Sequence, residues 1–144
     1  MEKACPIVLR NERQEILLFT HPEAGVQLVK GTLKPGEKVE EGCVRELQEE
    51  SGLQLSVASY LGASANSDAQ EIWHYCLMEN HSELPEKWEH FCQDNGGHLF
   101  RFFWAPISNA HEYVFHEKYL RAIDFVRGAL TSQISRDALT RTPA

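Results

Sequence analysis

Glutamates at positions 46, 49 and 50 share one segment with Val39, Cys43, Val44 and Leu47, and that combination limits what the chain can fold into. At about 3.6 residues per turn the apolar residues form one stripe, and the three carboxylates fall together beside it. The spacing predicts a helix over 38–51, its stripe against a sheet and its acids at the boundary with solvent. Gly52 suits the left-handed position just past a helix end. Carboxylates packed this closely repel one another and raise each other's pKa unless a cation joins them. All-oxygen ligands select a hard divalent ion. Mg²⁺ is the expected one, because it is often held by few carboxylates, keeps several waters and bridges to phosphates.

Around this helix the chain reads as short β-like runs, which points to a layered domain of the α/β or α+β kind. Residues 4–10 and 15–20 are rich in branched and aromatic side chains, and the polar stretch 11–14 between them predicts a hairpin. Pro6 predicts that the first run is an edge strand or begins beside one, since proline cannot donate to a central ladder. Further runs cover 26–29, 53–61, 71–78 and 99–104, the last introduced by Asn95-Gly96-Gly97 and ended by Pro106. The stretch 80–94 has no clear pattern. A second helix is expected from residue 112 or 116 to 130, with Leu120, Ile123, Val126 and Leu130 at helical spacing. At 144 residues and 42% hydrophobic content the chain suits a single domain. Its expected extent is residues 1–130, with 131–144 a frayed tail.

The loop before the first helix carries Gly31, Pro35-Gly36 and Glu37. Arg45 can reach Glu49 one turn on, or Glu37 across the loop, and its planar fork suits a carboxylate held in one orientation. Gly42 and Cys43 make a narrow helix surface that allows close packing on a sheet. The segment from Gly31 to Leu53 resembles the Nudix box, G-x5-E-x7-R-E-U-x-E-E-x-G-U with U a bulky aliphatic. All nine defined positions agree: Gly31, Glu37, Arg45, Glu46, Leu47, Glu49, Glu50, Gly52 and Leu53. A chance match in a chain this short has a probability on the order of 10⁻⁸. Lys38 departs from the Ser or Thr that often caps this helix in the family.

The resemblance implies the Nudix fold, an α/β/α sandwich with a central mixed sheet. It implies a hydrolase of the MutT-like kind that cleaves a nucleoside diphosphate linked to another moiety, by water attack on phosphorus. Glu46, Glu49 and Glu50 would then ligate Mg²⁺, with Mn²⁺ able to substitute, and Glu49, Glu50 and Arg45 would be the catalytic group. Gly31 and Glu37 would belong to the supporting network. In the family the general base is a box glutamate or an acid in a later loop, so Glu49 and Glu50 compete here with Glu83, Glu86, Glu89 and Asp94. Lys30, next to Gly31, is a candidate for phosphate. Trp73 is a candidate for stacking on a base, and Glu86 and Glu89 are candidates for substrate contact.

Composition narrows the partners. The net charge of −7 and the lack of a Lys/Arg-rich segment argue against an extended nucleic-acid track, leaving a small nucleotide derivative as the expected substrate. The alternatives are a pyrophosphohydrolase acting on RNA 5′ ends and a nucleotide-sensing module without turnover. No run is long and apolar enough for a membrane span, and a cytoplasmic chain with four reduced, buried cysteines is expected. The seven histidines show no paired ligand spacing. Aromatic strands and family habit raise the expectation of a homodimer.

Overall fold

The structure is a computed structural model that describes residues 1–66 and 70–140, leaving aside the side chains of 95 and 134–140. Among the described residues nine strands and two α-helices follow the order β1 (Glu2–Ile7), β2 (Leu9–Arg10), β3 (Glu15–His21), β4 (Gly25–Gln27), β5 (Gly31–Thr32), α1 (Val39–Ser51), β6 (Val57–Asn66), β7 (Glu71–Met78), β8 (Trp88–Cys92), β9 (His98–Pro106) and α2 (Glu117–Thr140). Short 3-10 turns at Asp94–Gly96 and Ile107–Glu112 flank β9.

The strands form two sheets. One is mixed, in the order β5-β1-β7-β6, with β1 parallel to β7 and the other pairs antiparallel. The second is antiparallel, in the order β2-β3-β9-β8, with β4 added on β3. Only Val8 separates β1 from β2, so the chain passes directly from one sheet to the other. The predicted hairpin is therefore confined to its tip, where Leu9 pairs with Ile16 and Arg10 with Glu15. Of the two placements expected from Pro6 the second is found: β1 lies inside its sheet and begins beside the edge strand β5. Because β5 reaches only Lys3 and Ala4, Pro6 pairs on one side alone, opposite Cys76 of β7, and no ladder donor is lost there.

Alternation along β1 and β7 divides the core in two. Cys5, Ile7, Trp73, Tyr75 and Leu77 face α2 and pack with its Tyr119, Ile123 and Val126. Ala4, Val8, Cys76 and Met78 face the other way and pack with Cys43 and Leu47 of α1. The helices thus lie on opposite faces, as an α/β/α sandwich requires. Each large apolar side chain fully buried contributes about 1.5–3 kcal/mol, so these alternations fix the register firmly. All four cysteines are buried and free.

The unpatterned stretch 80–94 contains β8, which closes the C-terminal end of α1. The Trp88 indole donates to the Ser51 carbonyl at 3.0 Å, and His90 Nε2 lies 3.1 Å from the Glu49 carbonyl. These contacts satisfy carbonyls that a helix end leaves without partners. The tail expected from residue 131 is corrected for its first ten residues, which continue α2 to Thr140. Gln133 Nε2 donates to Ser59 Oγ of β6 at 3.0 Å, and the Thr131 hydroxyl bonds back to the Arg127 carbonyl. Residues 141–144 of the expected tail lie outside the described residues. No helix is long and apolar enough to cross a membrane among the described residues.

Candidate active site

Helix α1 begins at Lys38, whose extended backbone (φ −75°, ψ 152°) turns the chain into the helix, and ends at Gly52 with φ 81°. Its narrow point is Gly42, where an added Cβ would lie 2.3 Å from Leu33 Cδ2 and 3.2 Å from Ala4 Cβ. This close seat on β1 brings the helix's acidic edge against the Gly31 loop.

Arg45 is the centre of the arrangement. Its Nε and Nη2 donate to the two oxygens of Glu37, both at 2.8 Å, in the paired geometry that the guanidinium fork favours. Nη2 also donates to the Thr32 carbonyl at 3.1 Å, while Nη1 reaches Glu46 Oε1 at 2.6 Å and Glu49 Oε2 at 3.2 Å. One cation thereby ties the loop to two helix carboxylates. The Arg45 bonds hold the Glu37 carboxyl down at about 2, below its ordinary value of 4.5. The same carboxylates raise the Arg45 pKa and keep it charged.

Glu46 lies over the backbone of Gly31, whose missing side chain makes the room: a Cβ there would sit 2.0 to 2.2 Å from the Glu46 carboxyl atoms. Burial raises the Glu46 pKa against the pull of Arg45. Glu50, only 9% exposed, is raised further, first by burial and then by the charge of Glu46, with Lys30 opposing. Its Oε2 is buried with no hydrogen-bond partner. A buried charged oxygen left in this way is costly without a cation. Among the described residues no three His, Cys, Asp or Glu side chains are gathered closely enough to hold an ion as they stand. The Glu49 carboxylate is turned toward Arg45 and remains 42% exposed. The donor set nevertheless fits a hard divalent ion: carboxylate oxygens on one helix edge, one of them unsatisfied, beside a glycine loop.

These carboxylates line a cavity of about 660 Å³. Asp94, just after β8, shares it and adds negative charge to Glu46 and Glu50. Lys3, Lys30, Lys34 and Lys118 also line it, as do His21, His98 and Phe100. The His21 and His98 rings lie 4.6 Å apart, and Phe100 stands 5.2 Å from His21. The cavity thus has an acidic wall, a basic wall and a patch of rings.

The residues singled out from sequence divide clearly. Gly31, Glu37, Arg45, Glu46, Glu49, Glu50 and Lys30 come together here. Trp73 does not: it is 2% exposed in the core, its indole donating to Glu71 at 2.7 Å, and alternation turns it toward α2. Glu86 pairs with Arg10 at 2.9 Å beside a separate cavity of about 690 Å³, which Glu83 also lines. Glu89 is on the outer face of β8, 3.6 Å from Arg101. None of these three lines the cavity, and of the four later acids only Asp94 does. Lys3, Lys118, His21, His98 and Phe100 were not expected. They come from β1, β3, β9 and α2, and only the three-dimensional fold brings them together.

The comparisons agree with this geometry. Residues 2–124 match the family model of the NUDIX domain. Among solved structures, the Escherichia coli ORF135 protein superposes with a TM-score of 0.63 at 20% identity, over 91% of each chain. The MutT protein from Methanosarcina mazei Go1 gives 0.63 at 16% identity, over 89% of this chain and 94% of its own. Both likenesses concern the fold. With the family model covering most of its length, the chain belongs to the Nudix family and is a Nudix hydrolase, acting on phosphorus-containing anhydrides.

Proposed function

We propose that the protein is a Mg²⁺-dependent pyrophosphohydrolase of a small nucleotide derivative, with Mn²⁺ able to substitute. The observation that carries this reading is the buried, unpartnered Glu50 Oε2 beside Glu46, on the helix edge that Arg45 ties to the glycine loop. Glu46, Glu49 and Glu50 would hold the ion. A bound Mg²⁺ supplies charge neutralisation at phosphate and a lowered pKa for a bound water.

The remaining roles belong to the chain itself. In the hydrolysis a water oxygen bonds to phosphorus, the anhydride bond to the leaving phosphate breaks, and the water's proton passes to a carboxylate. Arg45 positions Glu46 and Glu49 through hydrogen bonds, and Glu37 in turn fixes the guanidinium. Asp94 is assigned as the proton acceptor: it borders the same cavity from a separate loop and is not needed in the ligand set. The rings of His21, His98 and Phe100 offer flat surfaces for a base, and Lys30 a charge for phosphate.

The test is turnover with Mg²⁺ and then Mn²⁺ on nucleoside triphosphates, nucleotide sugars, dinucleotides and dinucleoside polyphosphates. Glu46→Gln, Glu49→Gln and Glu50→Gln should each remove most metal-dependent turnover, and wild-type rates in all three would refute the ligand assignment. Asp94→Asn should lower kcat by about 10²-fold or more. A near-normal rate in that variant would return the proton to Glu49.

A further inference from the structure

Three neighbouring strands of the mixed sheet carry a second constellation, none of whose members lines the cavity beside α1. His74 of β7 pairs with Ala4 of β1 on one side and with Ala63 of β6 on the other. Both partners are small, which leaves room for longer side chains at diagonal positions to reach the imidazole. Glu2 does so from β1, its Oε1 2.8 Å from His74 Nε2, and Tyr60 from β6, its hydroxyl 2.9 Å from His74 Nδ1. The chemistry of the three groups fixes where the protons lie. An ionised carboxylate only accepts, so His74 Nε2 carries the hydrogen that faces Glu2. In the neutral ring Nδ1 is then an acceptor, and the Tyr60 hydroxyl must donate to it.

A nucleophile, a base and a carboxylate that orients the base therefore stand in line, the order that activates a weak nucleophile. Tyr60 is 49% exposed and the His74 side chain only 15%, so the phenol meets solvent while its base is shielded behind it. Burial raises the Tyr60 pKa, with Glu40 and Glu2 adding to it. The phenol thus keeps its proton until His74 removes it during attack. We propose that Tyr60 is a covalent acceptor site for acyl groups, with His74 as its general base and Glu2 positioning that base. The donor is an activated ester rather than a phosphoryl compound, because Glu2 and Glu40 beside the phenol repel an anionic reacting group. In the step Tyr60 Oη bonds to the acyl carbon and its proton passes to His74 Nδ1. The bond from that carbon to the leaving oxygen breaks, and the leaving group departs with the electron pair. Glu2 stabilises the imidazolium that forms. The site stands independently of the hydrolase reading above.

The experiment exposes the folded protein to p-nitrophenyl acetate and follows acetylation of each tyrosine by peptide mass spectrometry. Tyr113 is the internal reference, 38% exposed and without a hydrogen-bond partner for its hydroxyl among the described residues. Tyr60 should react about tenfold faster than Tyr113 or more; that ratio should fall to near one in His74→Asn, and by about threefold or more in Glu2→Gln. Tyr75 and Tyr119 are buried, so their acetylation in a variant would mark a lost fold. Nitrogen-15 NMR should place the neutral His74 proton on Nε2 in wild type, and Glu2→Gln should weaken that preference, which a packing role alone would not do. Equal rates at Tyr60 and Tyr113 in wild type, a proton resident on Nδ1, or an unchanged ratio in folded His74→Asn would overturn the site. Should His74→Asn unfold, Glu2→Gln at its exposed position decides, and an unchanged ratio there overturns the site as well.

Discussion

Arg45 links three acids of different character. Glu37 is held as a firm anion, Glu46 is buried and strained toward its neutral form, and Glu49 stays half open to solvent. Replacing Arg45 by Met leaves the acids without their donors and should cost about 1–3 kcal/mol. The loss should depend on pH with a definite sign. Because Glu37 has its pKa depressed to about 2 from 4.5, the unfolded chain takes up the proton more readily. The Arg45-linked stability is then fully present above about pH 4.5 and is lost as pH falls toward 2. Urea unfolding of wild type and Arg45→Met should give a smaller stability gap at pH 3.5 than at pH 6, and a gap of equal size would mean that Arg45 does not hold Glu37. The box residues were legible because their types and intervals carry the chemistry directly. Lys3, Lys118, His21 and His98 were not. A lone lysine or histidine on a strand or helix end looks the same in sequence whether it faces solvent or a cavity, and Trp73 misled for the converse reason: a large ring reads as a stacking surface until alternation is anchored to a known core face.

Among the elements, α1 and β7 were read within a residue of their bounds, since each repeats one period over many residues. The break at Val8 was hidden, because β1 and β2 form a continuous apolar run and nothing local marks the change of sheet. β8 escaped because Glu89 and Phe91 alternate with His90 and Cys92, mixing polar and apolar residues on its faces. The end of α2 escaped because residues after Leu130 lack an apolar stripe, although polar contacts such as Gln133 with Ser59 continue the helix. The start of α1 offers an element-scale prediction. Lys38 has the backbone of a capping residue and no capping side-chain bond, while Glu40 and Glu41 already complement the helix dipole. Lys38→Ser should supply the missing acceptor, adding about 1 kcal/mol and raising Tm by roughly 3 °C. A melt with no increase would show that the first turn is already satisfied by solvent.

At the scale of the whole molecule, the acidic wall trades stability against the reaction assigned to it. Both Glu46 and Glu50 have raised pKa values, so the folded protein binds their protons more readily than the unfolded chain. Their effect on stability is therefore unfavourable once both states are ionised: it sets in as pH rises through the unfolded value and is complete above the folded one. A cation would relieve this cost, and binding to the folded state alone stabilises it by RT ln(1 + [L]/Kd), about 2.7 kcal/mol at a hundredfold excess over Kd. Glu50→Gln separates the two effects, since it removes the buried charge and the proposed ligand together. In EDTA at pH 8 the variant should melt above wild type, because an amide is cheaper to bury than an unpartnered carboxylate. On addition of Mg²⁺ wild type should gain several degrees and the variant little, so that the order of the two melting curves narrows or reverses. A variant that melts below wild type in EDTA, yet responds equally to Mg²⁺, would remove Glu50 from the ion site and leave its buried oxygen as a packing feature of α1.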